Sequence, residues 1–295
     1  MEFLLQLVLN GVVTGSIYSL VALGFVVIYK STSVLNFAQG EFLMLGAYVC
    51  LSLAVQYQLP FAVAFLLTLV FSAALGMLTE RLILRPMIGE PVISLIMVTL
   101  GLSALLKAVV QAVWGTDLRP FPNIFPATPV QLGPLPVSQG YLYSTASVAV
   151  LLLIFTLFFK FTRAGIAMRA TAFSQQVSLS MGISVKRIFA LSWSIAAVVS
   201  AIGGVLLAGV RGGLDASLAF FGLKVIPVVI LGGLDSVGGA IVGGLVMGVL
   251  ENLAGGYLDP LVGGGAKEVA PFIVLVLILS VKPYGLFGKV KIERV

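Results

Sequence analysis

Arg163-Ala-Gly-Ile-Ala-Met-Arg169-Ala170-Thr171-Ala172-Phe173-Ser-Gln-Gln-Val177-Ser-Leu-Ser-Met181-Gly182-Ile-Ser-Val-Lys186-Arg187 is a polar, basic island in an otherwise apolar chain. Between Asp117 and Asp215 there is no acidic residue, whereas Lys160, Arg163, Arg169, Lys186 and Arg187 flank or fill the island. The positive-inside bias therefore places it on the cytoplasmic side of a membrane, and every crossing can be counted from it. Ala170, Phe173, Val177 and Met181 recur at spacings of three and four, the period of one helical face, with Thr171 as an N-cap and Gly182 as the stop. The pattern predicts one short amphipathic helix outside the membrane, within residues 162–187. A basic loop lying against anionic lipid would carry the same charges.

Composition supports the membrane assignment. Sixty percent of the 295 residues are hydrophobic and 9% charged, against roughly 25% charged in soluble domains. The apolar runs reach the ~20 residues that an α-helix needs to span hydrocarbon, and they lack the ten-residue alternation of an outer-membrane barrel. An all-α, polytopic transmembrane bundle follows, forming one domain over residues 1–295. The net charge of +6 gathers in a few loops and the tail from Lys282 to Arg294, a distribution that speaks for membrane orientation and not for nucleic acid. A lone cysteine, Cys50, excludes an internal disulfide, and the absence of histidine removes the main ligand of common metal sites. The N-terminal apolar run has neither a basic leader nor an Ala-x-Ala site and is expected to be a retained span.

Taken in order, spans are expected at Leu4 to Ile28, from the polar mouth Ser31–Glu41 to Val55, from Pro60 to Leu78, from Pro91 to Trp114, at Tyr141 to Phe159 and at Ile188 to Val210. The segment 115–140 carries six prolines, among them Pro120, Pro126 and Pro134, and is expected to be an extended periplasmic loop. Ala216 to Ala254 is apolar but interrupted by Gly232-Gly233-Leu-Asp235-Ser236-Val-Gly238-Gly239. A single crossing there would put Lys282, Lys289, Lys291 and Arg294 outside, so two crossings or a re-entrant broken pair are expected. An outer loop from Gly255 to Lys267 and a short last span, Val269 to Val281, complete about eight or nine membrane segments, with the N-terminus periplasmic and the C-terminus cytoplasmic. The breaks at Asn36–Glu41 and Gly232–Gly239 match across the chain and suggest an internal duplication with a broken helix in each half. Close packing through Gly239, Gly243, Gly244 and Gly248 would produce the second break equally well.

No nucleophile with a base, metal cluster or paired carboxylate site is assembled in this sequence, which argues against an enzyme. Ionisable groups inside spans are few, namely Glu41, Lys107, Lys224 and Glu251, and snorkelling or span-end positions are expected for each. The nearest approach to a phosphate-binding loop, Gly285-Leu-Phe-Gly288-Lys289-Val290, lacks the spacing and the Ser or Thr. If ATP drives the protein, another polypeptide binds it.

Ala170-Thr171-Ala172 followed by Gly182 resembles the cytoplasmic loop of ATP-binding cassette importer permeases. More specific are Gly11-Val-Val-Thr-Gly15-Ser-Ile-Tyr18-Ser-Leu-Val-Ala22-Leu-Gly24, Leu35-Asn36-Phe-Ala-Gln39-Gly40-Glu41, and Gly222-Leu-Lys224 leading to Leu231-Gly232-Gly233-Leu-Asp235-Ser236-Val-Gly238-Gly239. Together they resemble the branched-chain amino acid permease family, in its shorter permease subunit, over nearly the whole chain. Where relatives usually carry acidic residues in the cytoplasmic loop, this chain has Phe173 and Ser174. The resemblance implies a second permease of similar fold, two cytoplasmic ATPases that hold the ATP, a periplasmic binding protein, and no cofactor on this chain. It implies ATPase docking through Arg169, Ala170, Thr171, Ala172, Phe173, Val177 and Gly182. The two breaks would line a substrate pathway through Asn36, Gln39, Gly40, Glu41, Asp235 and Ser236. Its substrates would be branched-chain amino acids, while related permeases carry urea, short amides or other amino acids. A self-sufficient secondary transporter is the competing class.

Overall fold

The computed structural model describes residues 2–122, 125, 128–132 and 135–288. Helix α1 spans Glu2–Thr32 and α2 spans Gln39–Leu51, continued by a wider π turn at Ser52–Gln56. Helix α3, Phe61–Thr79, continues through Glu80–Leu84 and a 3₁₀ turn at Arg85–Met87, and α4 covers Val92–Trp114. Three short strands follow, β1 (Arg119–Pro120), β2 (Pro129–Leu132) and β3 (Leu135–Ser138), and then α5 (Gln139–Phe161), α6 (Arg163–Phe173), α7 (Gln175–Ser180) and α8 (Val185–Arg211). After β4 (Gly213–Leu214) and a 3₁₀ turn at Ala216–Ala219 come α9 (Phe220–Gly232), α10 (Val237–Tyr257), α11 (Asp259–Val262) and α12 (Ala266–Val281).

Among the described residues, six helices are long and apolar enough to cross a membrane: α1, α3 with its extension, α4, α5, α8 and α10. With the shorter apolar helices α2, α9 and α12, they give the expected multi-pass α-helical bundle. Pro60 and Pro91 stand immediately before α3 and α4, where a missing N–H costs no intrahelical bond. Helices α1 and α8 form the centre: 89% and 78% of their apolar windows are buried, against 22%, 17% and 22% in α3, α4 and α5. The rim helices present apolar side chains outward, as contact with lipid requires.

Helices α1 and α10 run antiparallel in close contact. A Cβ on Gly11 would lie 2.6 Å from Val249 Cα and one on Gly15 2.6 Å from the Gly244 carbonyl oxygen, and the Ser19 hydroxyl donates to the Ile241 carbonyl at 2.9 Å. Small residues at this spacing let backbones meet, so Gly244 and Gly248 serve packing. The contacts have an exchanged pattern: α1 lies along α10 and α8 along α3, while α2 rests on α8 and α9 on α1. Two repeats, α1–α3 and α8–α10, swapped across a common centre, account for it.

Thr32, Ser33, Leu84, Gly89, Val92, Gln175 and Phe189 line one cleft of about 280 Å³, which brings the ends of α1 and α3 and the starts of α4 and α8 to the α6–α7 end. At the other end β1 pairs with β4, Arg119 opposite Leu214 and Pro120 opposite Gly213. Antiparallel packing on α1 puts the start of α10 at the α6–α7 end, so α9 descends to that end and α10 returns, as the two-crossing expectation requires. There the tail closes over the turn, with Leu286 and Phe287 amides donating to the Leu231 and Gly232 carbonyls at 2.7 and 3.1 Å.

Three expectations need correction. The segment 115–140 contains a hairpin, β2 against β3, because Pro129 and Pro136 fall at strand positions that a two-stranded ribbon tolerates. The 255–267 loop is shorter than expected, since α10 runs on to Tyr257 and α11 forms inside the connection. The last helix begins at Ala266 and carries Pro271 in its second turn. Pro126, Pro134, Lys289, Val290, Lys291 and Arg294 lie outside the described residues.

Candidate functional site

The polar mouth between α1 and α2 folds back into the bundle. Ser33 takes a positive φ of 57°, and the Asn36 side-chain oxygen accepts from the Ala38 amide at 3.0 Å, an Asx turn that launches α2. Asn36 then donates to Gln39 Oε1 at 3.0 Å. The Gln39 amide donates to Ser200 Oγ at 2.6 Å and to the Ala196 carbonyl at 3.3 Å. Asn36, Gln39 and Ser200 are wholly buried. Because Ala196 and Ser200 lie near the middle of α8, α2 starts at mid-depth.

Gly40 meets the start of α9: a Cβ there would collide with the Ala219 carbonyl, and one on Gly222 would collide with Gly40. Two short helices thus begin face to face inside the bundle, with their positive ends adjacent. Glu41 points elsewhere, its Oε1 accepting from Ser103 of α4 at 2.7 Å. Asn36, Gln39, Gly40 and Glu41 are therefore gathered where α2 meets α8, α9 and α4. Asp235 and Ser236 lie beyond the far end of the 13-residue α9, ~20 Å along its axis at 1.5 Å per residue. Ser236 caps α10, accepting from the Gly239 amide at 3.0 Å, and Asp235 is half-buried in the turn. The structure does not bring the two sets together.

Sequence reasoning missed a second polar cluster. Lys224 of α9 pairs with Glu251 of α10 at 3.3 Å and with Glu268 of α12 at 3.6 Å, and the Tyr18 hydroxyl of α1 donates to Glu251 Oε2. The expectation that Glu41 and Glu251 snorkel or sit at span ends is overturned: they are 6% and 4% exposed, because α4 encloses the first and α1, α9 and α10 the second. A buried carboxylate needs partners, and α4 supplies one to Glu41 while α1 and α9 supply those of Glu251. A polar Tyr18 inside α1 was the one available signal, and nothing in sequence spacing joins it to position 251.

The basic island is two helices, not one. Thr162 caps α6 by accepting from the Gly165 amide. Ser174 is extended at φ −156°, ψ 117° and caps α7 by accepting from Val177. A β-region residue at 174 breaks the helical period expected from Ala170 to Met181. Thr171 is not a cap; it is buried inside α6 and donates to the Ala167 carbonyl at 2.8 Å. Arg169 turns back to the Phe159 carbonyl, and Ala170 is half-buried while Ala172 is exposed. Gly182 has φ +80°, the left-handed turn expected of it. Phe173, Val177 and Met181 are 93%, 56% and 77% exposed, large apolar side chains held out to solvent outside the membrane-length helices.

A multi-pass helical bundle with two short helices opening at mid-depth, and an apolar-tipped helix pair outside it, defines a membrane permease. Residues 7–281 match the family described as branched-chain amino acid transport system / permease component, and the chain belongs to that family. It is 30% identical to the high-affinity branched-chain amino acid transport system permease protein LivH of Escherichia coli (strain K12), covering 99% of this chain and 98% of that one. It is 30% identical to the corresponding protein BraD of Pseudomonas aeruginosa, with the same coverage. It is 28% identical to the probable branched-chain amino acid transport permease protein LivH of Methanocaldococcus jannaschii over 96% of this chain and 92% of that one. Among solved structures, PsaBC from Streptococcus pneumoniae in complex with Fab is similar at 16% identity and a TM-score of 0.49, covering 96% of each chain.

Proposed function

We propose that this chain is the transmembrane permease subunit of an ATP-binding cassette importer that moves branched-chain amino acids across the cytoplasmic membrane. A second permease of like fold, two cytoplasmic ATPases and a periplasmic binding protein complete it, and ATP is bound by the ATPases alone. The α6–α7 end is cytoplasmic and the N-terminus periplasmic, in keeping with the basic charges of the island. The observation that carries the reading is that Phe173, Val177 and Met181 of the α6–α7 segment are all exposed, since large apolar side chains held out to solvent outside the spans mark a docking site. Closure of the ATPase pair moves α6 and α7, and through α5 and α8 tips the bundle. Converting a 1:99 population into 99:1 takes ~5.5 kcal/mol of differential binding, which ATP and the docked binding protein supply.

The test is Ala172→Arg in the assembled transporter. A bulky charge on this exposed residue leaves insertion and folding intact, while co-purification of the ATPases and substrate-stimulated ATP hydrolysis both fall several-fold. Full retention of both would make the island a lipid-facing loop and remove the support for ATP-driven transport.

A further inference from the structure

The first turns of α9 are ringed by cations. Arg211 lies 4.8 Å from the Phe221 ring centroid, and Lys224 is paired with Glu251 and Glu268. Lys107 of α4 differs from both. Its ammonium sits 4.6 Å from the Phe220 ring centroid, and among the described residues it makes no hydrogen bond and no ion pair. Lys107 is half-buried, and Phe220 beneath it and Leu223, three residues further along α9, are 53% and 47% exposed.

Depth makes this arrangement informative. Ser103, one turn from Lys107, donates to Glu41 at the start of α2, which the Gln39 bonds fix near the middle of α8. Lys107 turns toward that level, over Phe220, and not toward the headgroups beyond Trp114. A cation at that depth cannot face hydrocarbon without a partner, so this part of the α4–α9 surface faces water or a ligand. An ammonium over a ring face keeps donors free on its outer side, and the start of α9 adds the positive end of a helix. Glu41 is held by Ser103, one turn from Lys107 on the same helix, without forming a salt bridge to Lys107. A free cation, an opposite charge behind it and an apolar floor complement a zwitterion with an aliphatic side chain.

We propose that Lys107, Phe220 and Leu223, backed by Glu41, form a substrate-contact site on the translocation path. Lys107 receives the α-carboxylate, and the Phe220–Leu223 surface receives the aliphatic side chain. The proposal rests on the amino acid permease reading above, and a partner permease's carboxylate is the competing occupant.

The experiment uses the complete transporter in proteoliposomes with radiolabelled leucine and saturating loaded binding protein. Lys107→Gln is expected to lower uptake about tenfold or more, the scale of a lost hydrogen bond to a charged group, while assembly and stimulated ATP hydrolysis persist and Lys107→Arg retains part of the uptake. Lys107→Cys in a Cys50→Ser background should react with a small anionic thiosulfonate, and turnover with leucine should slow the reaction. Normal uptake by Lys107→Gln, or labelling that leucine does not slow, would overturn the site. Separation of the two permeases in Lys107→Gln would assign the lysine to their interface instead, also overturning it. If the wild-type transporter moves no branched-chain amino acid, the functional reading itself fails, an outcome distinct from the others.

Discussion

Gly15 and Gly101 are both helical glycines in spans, and they predict opposite responses to a side chain. A Cβ on Gly15 would lie 2.6 Å from the Gly244 carbonyl oxygen and 2.8 Å from Leu245 Cα, both backbone atoms that cannot swing away. Gly15→Val should therefore force α1 and α10 apart at a cost of about 1–3 kcal/mol or more. Nothing lies within 4 Å of a Cβ on Gly101, so Gly101→Ala should leave stability unchanged or raise it by up to ~1 kcal/mol. Thermal unfolding of the two variants in detergent, followed by loss of the monodisperse peak, distinguishes them; equal melting would refute the α1–α10 contact. Gln39→Leu is expected to leave Asn36 and Ser200 without their partner, about 1–3 kcal/mol in a buried site. It should reduce transport while the ATPases remain bound. Loss of assembly with normal transport in the assembled fraction would make Gln39 purely structural.

At the scale of elements, the stops were legible where a residue type forces the backbone. Pro60, Pro91 and Gly182 stand where helices begin or end, since each fixes or frees φ irrespective of tertiary contacts. The break at Ser174 was not legible, because serine is at home both in a helix and as its cap; the helical spacing of Ala170, Phe173, Val177 and Met181 ran straight across it. Gly182→Val tests the second helix as a unit. The backbone at φ +80° is strained for a β-branched residue although no atom opposes the side chain. A penalty of ~1–2 kcal/mol should detach α7 from α8. ATPase co-purification should then drop with little change in the melting of the bundle. Unchanged co-purification would mean that α6 alone carries the docking surface.

For the whole molecule, a multi-pass helical bundle and the order of its long apolar helices were readable from hydropathy, but the places where distant polar groups meet were not. Lys224 and Glu251 belong to neighbouring helices of one repeat, and Tyr18 reaches them from the other. Only the exchanged packing of the repeats explains that meeting, and no local pattern reports it. The same packing places the α6–α7 pair and the tail at one end, and the β1–β4 ribbon at the other. In a Cys50→Ser background, Ser174→Cys and Lys282→Cys should resist an impermeant maleimide added to intact cells from outside, whereas Asp117→Cys should react. Labelling of Lys282→Cys together with Asp117→Cys would place the tail opposite the island and refute the two-crossing arrangement of α9 and α10.

The tail that closes the α9–α10 turn bears on how the protein is made. The Leu231 and Gly232 carbonyls at the end of α9 obtain their donors from Leu286 and Phe287, which leave the ribosome only after α10 and α12 have been synthesised. Until then α9 carries bare carbonyls at one end and, at 13 residues, is too short to span hydrocarbon alone. It is expected to settle in the bilayer only together with α10 and α12, as a block rather than helix by helix.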